Sequence, residues 1–409
     1  MNFTNPESNF LLRNFSNGSI SFNNNNTESP AALTPDEMFS IIKLRYTVYG
    51  WICLPVSVIG LVLNSFTIII LLHPRMRNFS TNIYLTALSA ANIVCLINYI
   101  FLYSLRYLIS YENFKTQIFN TVQYNSVQFK RNGLMYENFL SMILWAWGPI
   151  FNTFQLFSIY LTCSVTVDRW IYLFFPFKAD RLCTKKRVII VILCILLFCI
   201  LFNVPRWFEV TYEKVYDNKT NITMYYAGPT AFGKNPKVKT ILNYYVYIIS
   251  VYVVPFLVLL IVNIGIIQKL IVTKERKTLL LGYNKKFVKK TAINDTELRN
   301  KNNSATTKPL VRAKHSSIMA SNKIDPKITF MVLAVVVSFF ICQFPYLTVT
   351  ILTVKHHNTK FVHVLKLISD LLATVSCSVN FLIYCVFGQK FRETANNILF
   401  SKPILGSKR

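Results

Sequence analysis

Along the chain, long apolar runs alternate with short polar or basic gaps. Read over a window of about 19 residues, hydropathy rises over 46–72, 81–109, 141–175, 187–208, 242–272, 328–354 and 361–387. Each run has the roughly 20 apolar residues that carry a helix across the hydrocarbon. The pattern predicts an all-α membrane protein: a bundle of seven transmembrane helices within 41–388. Residues 1–40 precede it as an arm rich in Asn and Ser. The first 34 residues hold no apolar run, so the arm is expected to be flexible and to carry no signal-peptide core, leaving the first span to insert the chain. Two gaps are long. One, about 111–140, is rich in Asn, Gln, Tyr and Phe and is expected as an outer loop. The other, about 274–327, sets Lys285, Lys286, Lys289, Lys290, Arg312 and Lys314 among Asn, Ser and Thr, as an inner loop whose ends continue the adjoining helices. After the last span, 389–409 places Phe391, Ile398, Leu399 and Phe400 among basic residues. That spacing predicts a short amphipathic helix on membrane lipid, then a short cytoplasmic tail.

Composition sharpens this picture. With 53% hydrophobic and 15% charged residues, division into soluble domains is excluded as the leading reading. A net charge of +27 would suggest nucleic acid on a soluble domain, but here the basic residues lie between apolar runs, so no nucleic-acid partner is expected. Lys and Arg crowd one side of the proposed membrane, which makes that side cytoplasmic. Asn-x-Ser/Thr acceptors at Asn2, Asn14, Asn17, Asn25, Asn218 and Asn221 fall on the other side, as candidates for glycosylation. The same tripeptide at Asn78, Asn294 and Asn302 on the inner side makes that pattern weak by itself. Together these features predict a multi-pass plasma-membrane protein with an extracellular N-terminus. Of nine cysteines, none lies in an outer loop, so no extracellular disulfide is expected. The five histidines form no ligand spacing within a span; no metal site, no cofactor and no enzyme activity are expected. His356 and His357 read as ordinary loop residues near the outer surface.

Polar groups in hydrocarbon are costly, so Asn64, Asn92 and Asn380 in the first, second and seventh spans need partners. A shared interhelical hydrogen-bond network would supply them. At the inner end of the third span stands Asp168-Arg169-Trp170, followed by Pro176 and a basic loop. With these residues the chain resembles the rhodopsin-like (class A) G protein-coupled receptors. Further matches are Gly60 and Asn64 in GLVLN, NIYLTALSAAN up to Asn92, Pro255, Phe339 with Cys342-Gln343-Phe344-Pro345, and Asn380 with Tyr384. The resemblance implies that Asp168 restrains Arg169 at rest and that the freed guanidinium faces a heterotrimeric G protein. It makes Trp170, Phe339, Cys342, Gln343, Pro345, Asn380 and Tyr384 parts of the same switch, and arrestin a further candidate partner. Pro255 and Pro345 lack an amide hydrogen and kink their helices, giving hinges for an outward swing of the sixth.

Departures from the family pattern are equally specific. Asn92 stands where an aspartate usually holds sodium, Gln343 where a tryptophan is usual, and Phe381 where Asn-Pro-x-x-Tyr has its proline. Leu144 occupies the position of one disulfide cysteine, and 207–243 contains no partner for it. Phe151 falls where amine receptors need an aspartate, and Thr374 where retinal proteins need a lysine; a monoamine ligand and an opsin are thereby disfavoured. FPFKADRLCTKKRV, NVPRWFE, PFLVLLIVNIGII and SCSVNFLIYCVFGQKFR resemble invertebrate receptors for FMRFamide-like neuropeptides, implying an extracellular peptide ligand. An Arg-Phe-amide end needs a carboxylate and an aromatic slot. Asp370 is the first candidate and Glu209 the second, with Tyr346, Phe151, Gln155 and Tyr247 lining the slot. The alternatives are a class A receptor for another ligand type and a multi-span transporter, the latter disfavoured because no inverted repeat is visible.

Overall fold

A computed structural model of the chain describes residues 34–111, 127–217, 222–273, 275–276, 279, 326–355 and 359–400. The six candidate glycosylation sites, His356 and His357, most of the basic loop and the end of the tail lie outside the described residues. Seven helices are long and apolar enough to cross a membrane. They are α1 (Asp36–Leu72), α2 (Ser80–Tyr111), α3 (Val127–Phe174), α4 (Lys185–Phe208), α5 (Pro236–Thr273), α6 (Pro326–Lys355) and α7 (Lys360–Phe387). An eighth, α8 (Gln389–Phe400), follows at the end that carries Arg169. The opposite end carries an antiparallel hairpin of β1 (Val210–Asp217) and β2 (Ile222–Pro229).

Three boundaries differ from the sequence-based expectation. The first helix begins at Pro35, inside the stretch expected as flexible arm, because Thr34 and Glu37 form a capping box: the Glu37 amide donates to Thr34 Oγ1 at 3.3 Å and the Thr34 amide to Glu37 Oε2 at 3.0 Å. Polar first-turn residues kept this turn out of the hydropathy window. The third helix begins at Val127, so about half of the expected 111–140 loop is helix. At about 1.5 Å per residue its 48 residues measure roughly 70 Å, more than twice the hydrocarbon thickness. Its apolar part is Trp147–Phe174. The hairpin itself was not anticipated. β-Branched residues and tyrosines recur along both of its strands, as a pleated surface favours.

The apolar periodicity explains which faces turn inward. On α4, Ile190, Leu193, Leu197 and Leu201 are exposed three to four residues apart, the spacing of a lipid-facing stripe. On α1 the inward stripe is small and polar instead: Ser57, Gly60, Asn64 and Thr67 are buried. That lets α1 approach α7 closely. A Cβ on Gly60 would collide with Ser378 Oγ and stand 3.0 Å from Leu96 Cδ1. Ser378 cannot easily yield, since its hydroxyl donates to Val56 O of α1 at 3.2 Å and to Thr374 O at 2.9 Å. The central core is built from Leu85, Leu88, Leu161, Tyr252, Leu259 and Phe339. Winding of π type occurs over Tyr46–Cys53 and Ile249–Val253, just before Pro55 and Pro255, whose missing amides interrupt the regular ladder.

Gly60→Val is expected to destabilise the bundle by about 1–3 kcal/mol, the usual range for overpacking. Gly148, where an added Cβ meets nothing within 4 Å, supplies the control. Thermal unfolding in detergent should show a lower Tm for Gly60→Val and an unchanged one for Gly148→Ala; equal values for both would remove the close-packing account.

Candidate functional site

Two buried carboxylates and one neutral cavity divide the interior. At the Arg169 end, Asp168 is 4% exposed and its Oδ2 takes three donors. Thr81 Oγ1 donates at 2.9 Å, Ser80 Oγ at 3.1 Å and Arg169 Nη2 at 3.2 Å. The arginine is therefore held by its own neighbour, and the carboxylate is held in turn by the first turn of α2. The Arg169 guanidinium also lies 5.0 Å from the Tyr172 ring, while its Nε has no partner. Such a group is costly to bury, so it is prepared to exchange partners. Trp170 stacks on Phe174 at 5.0 Å and lies against α5, where a Cβ on Gly265 would stand 3.3 Å from its Nε1. Ser80 and Thr81 were missed from the sequence. Also missed was Phe177, 86% exposed on the short helix Pro176–Leu182 beside this lock.

Midway along the bundle, Asn92, Gln343, Asn380, Phe339, Phe151 and Gln155 line a cavity of about 30 Å³. That is room for a water-sized occupant or two. The structure thus brings together residues expected in separate roles, the switch and the ligand slot. Phe339 meets Phe256 edge to face at 5.9 Å, tying α6 to α5 just after Pro255. Cys342 is buried beside it on α6, which contains Pro345. Tyr384 is buried with an unpartnered hydroxyl, and its ring meets Phe391 of α8 at 5.8 Å. Phe381, in place of the family's proline, also packs on Phe391, at 5.7 Å. An aromatic side chain there joins α7 to α8 where a proline would have bent the helix.

The expected network of three asparagines is divided among the described residues. Asn64 Nδ2 donates to Gly60 O at 2.8 Å and to Cys377 O at 2.9 Å, fastening α1 to the α7 backbone. Asn92 Oδ1 accepts from Ser158 Oγ of α3 at 3.1 Å, leaving Nδ2 without a partner. Asn92 and Asn380 line the same cavity; Asn64 does not. No carboxylate lines it either. The donor set does not fit sodium: the one amide oxygen of Asn92 is engaged, and no negative charge offsets the cost of dehydrating the ion.

The second carboxylate, Asp370, is 1% exposed on α7 near the hairpin end. Its Oδ2 accepts from Tyr49 Oη of α1 at 2.7 Å, and its Oδ1 has no hydrogen-bond partner. Around it, Arg45 of α1 donates through Nη1 to Tyr107 of α2 at 2.9 Å and through Nη2 to His363 Nδ1 of α7 at 3.0 Å. The rings of Tyr103 and Tyr107 each lie 5.2 Å from Tyr49. Asp370 therefore belongs to a clasp joining α1, α2 and α7, apart from the cavity that holds Phe151 and Gln155. Tyr346 packs against the central core, and Tyr247 lies under the Arg206 guanidinium at 4.7 Å. Glu209 sits at the base of the hairpin, its carbonyl accepting the Thr230 amide at 3.0 Å. The six expected ligand contacts are thus spread over several sites, with no single pocket holding them all.

A seven-helix bundle with a carboxylate-held arginine at the end of its third helix has the arrangement of the rhodopsin-like receptors. The profile of the 7 transmembrane receptor (rhodopsin family) matches residues 64–384, and the chain belongs to that family. It is similar to an FMRFamide receptor of Drosophila melanogaster, 27% identical over 367 residues that make up 88% of this chain and 55% of the relative. It is also similar to the FMRFamide peptide receptor frpr-18 of Caenorhabditis elegans, 24% identical over 221 residues, 51% of this chain and 43% of the relative. The chain spans about half the length of these curated relatives.

With no carboxylate at the cavity, sodium should give no specific stabilisation. The Tm of the purified protein in sodium chloride should coincide with that in choline chloride at equal ionic strength. A rise confined to sodium that vanishes in Asn92→Ala would establish the site that the donor set argues against.

Proposed function

We propose that this chain is a plasma-membrane neuropeptide receptor, not an enzyme, with its N-terminus outside. It binds an FMRFamide-like peptide at the hairpin end and activates a heterotrimeric G protein at the Arg169 end. The observation that carries this is the Asp168–Arg169 lock, a buried guanidinium held by a carboxylate that is itself held by a second helix. The similarity to two FMRFamide receptors supports the ligand class. Orientation is supported by Lys178, Arg181, Lys185, Lys186, Arg187, Lys269 and Lys390, which flank the Arg169 end as cytoplasmic loops require. Membrane lipid is a partner of α8, whose Ile398 and Leu399 are exposed. Arrestin, docking at the same inner mouth, is a further partner.

Ligand recognition begins from the Asp370 clasp. One carboxylate oxygen is engaged by Tyr49 and the other has no donor, so an arriving guanidinium or amide can complete the set without first displacing Tyr49. The cavity is far smaller than a phenyl ring, so seating the ligand's aromatic end beside Phe151 and Gln155 requires the helices to part. Binding energy is then spent on the same movement that opens the inner end. Rotation of α6 about Pro345 releases the contacts of Phe339 and Gln343, and Arg169 exchanges Asp168 for the G protein. Asn380 and Tyr384 accompany this change on α7.

The direct test is a neuropeptide library applied to cells expressing the chain, with calcium and cyclic-AMP readouts; FMRFamide-like peptides should activate, and transport without G protein dependence would reject the proposal. Asp168→Asn removes the charge that holds Arg169 and should raise ligand-independent signalling by about tenfold, equivalent to about 1.4 kcal/mol of lost restraint. Unaltered basal signalling at equal surface level would discard the lock. Asp370→Ala should weaken potency about 10- to 100-fold with surface level kept, as loss of a charge-assisted hydrogen bond would. A peptide whose arginine is replaced by citrulline should lose little more on this variant; full additivity of the two changes would separate Asp370 from the ligand's guanidinium.

A further inference from the structure

The chain lacks the disulfide that in related receptors ties the second outer loop to the third helix, yet its hairpin lies against α3. Beyond the apolar part of α3, Asn138 turns its carboxamide to the outer edge of β2. Asn138 Nδ2 donates to Thr223 O at 3.2 Å, and Asn138 Oδ1 accepts from the Tyr225 amide at 3.0 Å. These two main-chain groups flank Met224, as the partners of one residue on a neighbouring strand would. The Asn138 side chain thereby pairs with the edge of β2 as a further strand would, while β1 pairs with its inner edge, Tyr216 opposite Thr223 and Lys214 opposite Tyr225.

The base of the hairpin is closed separately. Thr230 Oγ1 donates to Phe208 O at 2.5 Å, the Thr230 amide to Glu209 O at 3.0 Å, and a Cβ on Gly233 would collide with Glu209 O. A hairpin held only at its base can swing about it. A second attachment along the edge of a strand removes that freedom. On the same extension of α3, Tyr136 Oη donates to Phe101 O of α2 at 2.6 Å, which fixes the helix that carries Asn138.

We infer that Asn138 is the positioning residue that fixes the loop hairpin over the ligand entrance, replacing the missing disulfide with a two-point main-chain hydrogen bond. The effect on ligand binding rests on the peptide-receptor function proposed above; the effect on the hairpin does not. Two hydrogen bonds of ordinary strength hold the loop more weakly than a covalent bridge, so the loop opens more readily.

The test uses the full-length receptor in membranes and two readouts. Limited trypsin cleavage at the exposed Lys214 reports hairpin opening without any ligand, and peptide potency reports the entrance. Asn138→Leu, which keeps the branched shape and loses both bonds, should speed cleavage at Lys214 several-fold and lower potency about tenfold with the maximal response kept. Asn138→Asp keeps the acceptor for the Tyr225 amide and should fall between Leu and the native residue, which also covers the case of a poorly folding Asn138→Leu. Tyr136→Phe, which removes the hydroxyl bond to α2 and keeps both Asn138 bonds, should speed cleavage less than Asn138→Leu. Native cleavage rates in both Asn138 variants would overturn the inference. Faster cleavage with unchanged potency would overturn its ligand part and leave the receptor proposal untouched. Failure of every peptide to activate the native chain would strike that proposal, with the cleavage result still deciding the role of Asn138.

Discussion

No water reaches the middle of a bilayer, so every polar group placed there must find its partner within the protein, and most of this structure follows from that constraint. The small polar stripe of α1 exists because α7 lies close enough to accept it: Asn64 bonds the Cys377 carbonyl only because Gly60 lets Ser378 in. Three donors from two helices converge on the Asp168 carboxylate. Threonines and serines along the spans turn back onto their own helices, as Thr67 does to Leu63 and Thr166 to Thr162. Among the described residues, the groups left incomplete include Arg169 Nε, Asn92 Nδ2, Gln343 Oε1, Asp370 Oδ1 and the Tyr384 hydroxyl, on residues to which the family resemblance or the proposed function gives a part in the mechanism.

What the sequence could reveal follows from the length scale of each feature. Seven spans and the Asp168–Arg169–Trp170 lock were legible, because hydropathy is summed over some 20 residues and the motif is contiguous. The start of α1 was legible in principle from Thr34, Pro35 and Glu37, but a window tuned to apolar runs passes over a polar capping box. The partners of Asp168 were not legible: Ser80 and Thr81 lie 88 and 87 residues away, and nothing in a serine announces which carboxylate it will meet. The same holds for the Asp370 clasp, where Tyr49 and Asp370 are separated by 321 residues. The hairpin escaped because eight-residue strands fall below the resolution of a hydropathy profile and were read as loop.

The two carboxylates are treated differently, and the difference assigns them different work. Both Asp168 oxygens need not be filled by protein donors, but its engaged oxygen takes three at once, including the arginine beside it. Asp370 has one oxygen engaged by Tyr49 and the other without a hydrogen-bond partner, within a setting that also holds Arg45 and His363. An oxygen that already holds three donors resists a new partner; a buried oxygen with none accepts one at less cost. In the proposed receptor the first would hold a resting state and the second would receive a charged ligand. Between them lies a cavity without a charge, where sodium would otherwise bind and favour one state over the other. In the proposed receptor, that neutrality would leave control of the switch to the ligand and to the helices themselves.

α2 is the element that connects these regions. At one end its Ser80 and Thr81 hold the Asp168 of α3; in the middle its Asn92 accepts from Ser158, again of α3; at the other end Tyr107 receives Arg45 from α1, whose Tyr49 holds Asp370 of α7. Its contacts with α3 are hydrogen bonds with short reach, so a slide of even one ångström between the two helices weakens them together. A ligand that draws Asp370 and the top of α7 inward pulls on Tyr49 and thus on α1, which leans on α2 through Arg45 and Tyr107. For such a pull to reach Arg169, α2 must have two discrete positions against α3, not a continuum, because packed helices yield by steps. The donor set at Asp168 is where the two helices meet: the same carboxylate oxygen that the first turn of α2 holds also holds Arg169.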